Sequence, residues 1–457
     1  DNDINTVDAS LYVGSNLVVK TTTTNIENST TFSPITGSAN LNDIYEISID
    51  NGATTNKQEK VLNFETFKIV DGDTGTDSSF TFTLAEENVG YTNSSTYETV
   101  TIDSTAIGAD GDTVTIDASD EHNGKLIIKT GAGAETITIS QSANFGDTIT
   151  AGAGNDTIKL TAAADLTKVD SIDGGTGDDT ITLAGTGTLV DADFTGVTNF
   201  KTITASANIE FTGLTLGAEA AEAGISVVTL ASTDAAAETI TVGSGFTNDL
   251  TINLDADAAA NTVTATGYTK NLTVKAIGTD MDAIASTLTG GSGTDNLEIT
   301  GTGTPLTMLL TSVTKFETIT AKDDGDATAD VMTLTTVEGN IADGETMTID
   351  TTDLSVDTAT VSFLADTDGN NVFKGGATVD TVTGSASDLG DDFSGGAGND
   401  IFKFATAREM PGLRQCPAQT QPGHNGALVE FAGTQEAYRP YTKYNIRIAG
   451  TCFIYNV

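Results

Sequence analysis

Tryptophan is missing from this 457-residue chain, and histidine (2), cysteine (2), proline (6) and lysine plus arginine (20) are scarce. Each shortage closes off a class of function. A zinc protease needs H-E-x-x-H, but His122 is followed by Asn123 and His424 by Asn425. The lipase pattern G-x-S-x-G fails at Ser292, which has Gly290 two before it but Thr294 two after. Against 64 acidic residues the few basic ones leave a formal net charge of −44. That argues against nucleic acid and against an anionic membrane as direct partners. No apolar run reaches the roughly 18 residues that a membrane-spanning helix needs. The chain opens at Asp1 with neither Met nor a signal-peptide pattern, which reads as a mature or partial chain. Carboxylates abundant enough for a glycosidase pair sit in turns, where ion binding already accounts for them. The expectation is a protein that is not an enzyme.

What is present is threonine, glycine, aspartate and alanine, and the densest order lies in 147–183. Asp147 and Asp156 are nine apart, as are Asp170 and Asp179, and each is followed two places on by isoleucine: Ile149, Ile158, Ile172 and Ile181. The second pair follows the first by 23 residues, member for member. A glycine–aspartate turn plus a short strand, repeated every nine residues, is the unit of a parallel β-roll. Two units make a coil, so Asp170 is expected over Asp147 and Asp179 over Asp156. Gly152, Gly154, Gly174, Gly175 and Gly177 permit the tight reversal. The reversal presents backbone carbonyls and carboxylates together, an oxygen-only set that suits Ca²⁺. Matched turns are Gly290-Gly291-Ser292-Gly293-Thr294-Asp295 and Gly395-Gly396-Ala397-Gly398-Asn399-Asp400. Variants are Gly131–Glu135, with glutamate for aspartate, and Gly375–Asp380, with Thr378 for a glycine. In the last block Asn371, Asp380, Asp391 and Asp400 are spaced 9, 11 and 9, so Asn371/Asp391 and Asp380/Asp400 are the expected stacked pairs.

These turns resemble the RTX (repeat-in-toxin) nonapeptide G-G-x-G-x-D-x-U-x. The resemblance covers roughly 147–183, 290–298 and 371–403, and implies a calcium-loaded β-roll in a secreted protein. A longer-range repeat joins it: Val61-Leu62-Asn63-Phe64-Glu65-Thr66-Phe67, Val197-Thr198-Asn199-Phe200-Lys201-Thr202-Ile203 and Val313-Thr314-Lys315-Phe316-Glu317-Thr318-Ile319. It is similar to strand openers of bacterial S-layer proteins and large RTX adhesins, and points to a Gram-negative surface layer over a secreted enzyme. Its phenylalanine is expected to fill a solenoid edge that holds no calcium.

The fold expectation is an all-β parallel β-solenoid or β-roll. Residues 1–100 read as a β-rich domain, perhaps a sandwich; 101–325 as solenoid with RTX-like turns; 326–370 as further solenoid strands; 371–407 as the C-terminal calcium block. A 23-residue step also joins Asp112 to Glu135 and Thr239 to Thr262, and the whole suggests about ten right-handed coils. Gly217–Ala223 suits a single helical turn, and His122, in a polar turn, the surface. At 408 the composition breaks: five basic and three acidic residues (+2) follow 15 basic and 61 acidic (−46). This tail holds Cys416 and Cys452, which either pair in an oxidising exterior or stay as free thiols. Its make-up departs from the RTX export signal. The functional expectation is an extracellular, cell-surface structural protein that self-assembles with Ca²⁺ into a homo-oligomeric layer or filament. The alternatives are an adhesin or matrix protein that binds a surface polysaccharide and, from threonine pairs such as Thr148/Thr150, an ice-binding solenoid.

Overall fold

Runs such as Thr-Val-Thr-Ile-Asp (Thr99–Asp103, Thr113–Asp117) put apolar side chains on one face and hydroxyls on the other. Such strands persist only when the apolar face is covered. In the computed structural model they cover one another by coiling. The structure describes the chain from Val7 to Phe404 apart from short interruptions, the longest being 23–34. Within 405–457 it describes only the strands Gly426–Phe431 and Thr451–Ile454. The fold is a parallel β-solenoid that divides into two compact units, Asp1–Thr229 and Leu230–Val457.

In the first unit one parallel sheet runs Val18–Thr22, Ile44–Ile49, Thr66–Asp71, Thr99–Asp103, Lys125–Lys129, Thr148–Thr150, Ser171–Asp173 and Val197–Thr198. A second runs from Thr54–Lys57 and Ser79–Thr83 through Thr113–Asp117, Thr136–Thr138, Thr157–Leu160, Thr180–Leu183 and Thr202–Ala205 to Val227–Thr229. Inward side chains stack rung on rung. Ile102, Ile128, Ile149, Ile172 and Val197 form one column, and Ile116, Ile137, Ile158, Ile181, Ile203 and Val228 another; none is more than 2% exposed. Burying each such side chain contributes about 1.5–3 kcal/mol.

Two expectations change here. Residues 1–100 do not form a sandwich: from Val18 their long strands are rungs of the same parallel ladder, apart from the antiparallel pair Tyr91–Asn93 and Thr96–Tyr97. Corners other than glycine turns close those coils, so the ladder needs no glycine signal. The step from Asp112 to Glu135 is not in register either, because Thr115, and not Thr113, pairs with Thr136. A shift of two keeps the inward face inward, whereas a shift of one would expose it.

The second unit repeats the plan. One sheet runs Leu250–Asn253, Leu272–Ile277, Asn296–Thr300, Thr318–Lys322, Thr346–Asp350, Asn370–Lys374 and Asp392–Ser394. Another joins Leu306–Leu309, Val331–Thr335, Thr358–Ser362, Thr381–Thr383 and Ile401–Phe404, to which the two described strands of 408–457 add in parallel. The echo at 234–274 is coil on coil: Thr239 pairs with Thr262, and the Phe246 and Tyr268 rings lie 6.0 Å apart. The single turn is present as the helix Ala218–Glu222, with Asp191 Oδ1 accepting the N–H of Gly217 (2.8 Å) and of Ala220 (3.0 Å). His122 is exposed, with Nδ1 3.1 Å from Glu86 Oε2.

Candidate metal centre in the stacked corners

A strand that starts a new coil leaves its first N–H groups at a corner, where no strand partner takes them. In this chain a polar residue just before the strand one coil further on supplies the acceptor. Asp156 Oδ1 accepts the Glu135 N–H at 2.8 Å, and Asp179 Oδ1 accepts the Asp156 N–H at 2.8 Å. On the other edge Asp147 Oδ1 accepts from Leu126 (3.0 Å) and Asp170 Oδ1 from Asp147 (2.9 Å). Asp170 therefore lies over Asp147 and Asp179 over Asp156, as their spacing predicts. The C-terminal pairs also stack: Asp391 Oδ1 accepts from Asn371 and Asp400 Oδ1 from Asp380, both at 3.0 Å.

The same device operates where there is no glycine turn. Asn261 Oδ1 accepts from Glu238 (3.0 Å), Ser286 Oγ from Asn261 (3.2 Å), and Asp357 Oδ1 from Asp330 (2.9 Å). The repeated phenylalanine motif supplies two further rungs that the sequence reading missed. Glu65 Oε2 accepts the Asp43 N–H and Glu317 Oε2 the Asp295 N–H, both at 2.7 Å. One carboxylate oxygen at each corner is thus a structural cap, and capacity for an ion rests on the other.

The second oxygens divide the sites. Asp295 Oδ2 accepts from Gly291 (2.5 Å) and Asp380 Oδ2 from Gly376 (3.1 Å). Asp170 Oδ2 accepts from Thr167 N (2.7 Å), and Asp391 Oδ2 from Ser385 Oγ (2.9 Å). At the remaining edge Asp156 Oδ2, Asp179 Oδ2 and both Glu135 carboxyl oxygens are buried and meet no donor. Asn371 Oδ1 is in the same position, while its Nδ2 donates to Asp366 Oδ2 (2.7 Å). Burial, then the Asp156 charge, pushes the Glu135 carboxyl up to about 8. Burial, with the Asp179 charge behind it, pushes Asp156 up to about 6. Asp179 is raised too, first by burial.

Beside this column the backbone takes the left-handed form that the motif requires. Gly175 has φ +89° and Gly177 φ +145°, and a Cβ on either would collide with the carbonyl oxygen of Gly152 or Gly154 one coil below. Gly152, Gly154, Gly396 and Gly398 also have positive φ, whereas Gly290, Gly291 and Gly293 do not. A buried column of acceptors without donors, next to turns that stack carbonyl on glycine, has the donor chemistry of a calcium site. Glu135, Asp156 and Asp179 fit such an ion better than Asp295 or Asp380, whose oxygens are already engaged.

Outside these turns, Asp323, Asp324 and Asp357 bring carboxylate oxygens within 4.8 Å of one another, the one group of three or more potential metal ligands this close among the described residues. Cys416 lies outside the described residues. Cys452 is in the strand Thr451–Ile454, but its side chain is not described, so their pairing falls outside the described structure. Site and fold together define the class as a parallel β-solenoid with acidic, glycine-turned corners. Comparison with known proteins finds no matching family model, no similar curated protein and no similar solved structure.

Proposed function

We propose that this is an extracellular structural protein that folds and self-assembles with Ca²⁺ into a cell-surface layer or filament. The observation that carries the reading is the buried Glu135–Asp156–Asp179 column, whose outer oxygens meet no donor. Like charges stacked at a coil's spacing repel, and burying them without a counter-charge costs several kcal/mol per ion. A divalent ion between the coils offsets both. Asp156 and Asp179 would hold it, with Glu135 and the turn carbonyls of Gly152–Gly154 and Gly174–Gly177 beside them. The chain's −44 charge extends the same logic to contacts between copies, where acidic faces can share ions. The RTX and S-layer resemblance supports the extracellular setting.

The test uses the full chain with Ca²⁺ or excess chelator, followed by circular dichroism and electron microscopy. Ordered sheets or filaments with calcium, and loss of β signal without it, are expected. A full β signal and intact assemblies in chelator would overturn the reading, and dispersed rods with calcium would favour the adhesin. Asp156→Asn with Asp179→Asn isolates the ion, because asparagine keeps the Oδ1 cap, as Asn261 does, and removes the second carboxylate oxygen. The double variant should need several-fold more calcium for the same order.

One observation favours a second reading. Thr81, Thr115, Thr136, Thr157, Thr180 and Thr202 form an unbroken outward column in strand register, since differences in coil length are absorbed at the corners. A regular hydroxyl array can order water. The leading reading expects no thermal hysteresis from the calcium-loaded chain; measurable hysteresis would favour ice binding.

A further inference from the structure

Asp323 and Asp324 follow the strand Thr318–Lys322, and Asp357 precedes the strand Thr358–Ser362. None belongs to a glycine turn, yet the coiling brings their carboxylate oxygens within 4.8 Å of one another. Asp357 is only 3% exposed. Its Oδ1 caps the Asp330 N–H at 2.9 Å, while its Oδ2 takes no hydrogen bond and faces the cluster. Gly301 leaves the space open on that side: a Cβ there would stand 3.7 Å from Asp357 Oδ2 and 3.6 Å from Asp324 Cβ. Asp323 is held in place from the next coil, its Oδ2 accepting from Ser355 N (3.1 Å) and Ser355 Oγ (2.7 Å), and its Oδ1 from Gly325 N (2.8 Å).

The charges that act on Asp357 are those of Asp323, Asp324 and Asp330, all of its own sign. A nine-tenths buried carboxylate in such company asks for a cation. The donors are carboxylate and hydroxyl oxygens with no nitrogen or sulfur, which selects a hard divalent ion. Opposed ligands of Ca²⁺, with bonds of about 2.3–2.6 Å, stand about 4.6–5.2 Å apart, whereas those of Mg²⁺ stand only about 4.1 Å apart. The 4.8 Å envelope matches the larger ion.

We propose that Asp323, Asp324 and Asp357 bind one Ca²⁺ that ties the coil beginning at Thr318 to the corner before Thr358, independently of the glycine turns. This site does not rest on the RTX reading, since no nonapeptide residue contributes to it. Equilibrium dialysis of the full chain against Ca²⁺ tests it, with circular dichroism to verify the fold. Asp323→Asn with Asp324→Asn should lose one bound ion per chain. Asp357→Asn, which keeps the Oδ1 cap, should lose the same ion. The Asp156→Asn/Asp179→Asn chain should retain it. Unchanged stoichiometry and affinity in both the Asp323/Asp324 and the Asp357 variants overturns the site, whatever the glycine-turn variants do. Loss of this ion alone, with no calcium effect at Asp156 and Asp179, upholds it while removing the glycine-turn reading.

Discussion

At the scale of the residue, the position just before a strand decides most of the chemistry. Glutamate, aspartate, asparagine and serine all serve there as caps, at Glu317, Asp179, Asn261 and Ser286. Only a carboxylate brings a second oxygen and a charge, and at Glu135 and Asp156 that charge is resisted. Their folded values of about 8 and about 6 lie above the roughly 4.3 and 3.9 of an unfolded chain. The folded state therefore binds more protons, and its stability is greatest below about pH 4 and is lost as pH rises towards 8. Thermal melts of chelator-treated protein should show the midpoint falling between pH 5 and pH 8. With calcium bound the carboxylates are already ionised, so the fall should be much reduced. A midpoint that rises with pH in chelator would contradict the buried column. The aspartates and their 23-residue stacking were legible in the sequence because both follow from spacing. Which of them has a spare oxygen was not, since that depends on whether a glycine N–H, as at Gly291 and Gly376, turns inward to take it. The Asp323–Asp357 juxtaposition was likewise hidden: it depends on a coil of unusual length, with Asp330 capped by Asp357 27 residues on.

At the scale of the element, the repeated phenylalanine motif is a corner piece with a fixed geometry. Asn63, Asn199 and Lys315 are the non-glycine residues with positive φ among those described, at 58°, 61° and 60°. Each precedes a buried phenylalanine, Phe64, Phe200 or Phe316, at most 2% exposed. Each also lays its carbonyl against a glycine one coil below, at Gly37, Gly174 and Gly290, leaving no space there for a Cβ. The motif thus sits directly on the first glycine of a turn, an edge-filling role in keeping with its sequence. The repetition was visible in the chain. The left-handed residue was only half visible, because asparagine tolerates that conformation and lysine does not advertise it. Lysine at φ 60° carries strain of about 1–2 kcal/mol that glycine avoids. Part of that gain is offset by glycine's greater unfolded-state entropy. Lys315→Gly should therefore leave stability unchanged or raise it slightly, whereas Lys315→Val should lower it clearly, as read by urea denaturation. Phe200→Ala, which empties the corner, should cost about 3–5 kcal/mol.

At the scale of the whole molecule, the −44 charge acts on every coil at once. Six of the seven lysine or histidine ion pairs among the described residues link adjacent coils, as Lys201 does with Asp178 (2.7 Å) and Lys275 with Glu298 (3.6 Å). They are exposed, and exposed pairs are worth about 0–1 kcal/mol each, too little to balance the excess of acid. Two kinds of cation effect must then be separable. Monovalent salt screens exposed repulsion over a Debye length that shrinks from about 30 Å at 0.01 M to about 3 Å at 1 M. It should raise the midpoint of calcium-free protein gradually, without saturating. Calcium acts at sites, so its effect should saturate, scale as the logarithm of concentration above the dissociation constant, and survive high salt. Melting the chain across a sodium chloride series with and without millimolar Ca²⁺ distinguishes the two. Superimposable curves at high salt would mean that screening alone stabilises the coils, and that the oxygens at Asp156, Asp179 and Asp357 hold no ion.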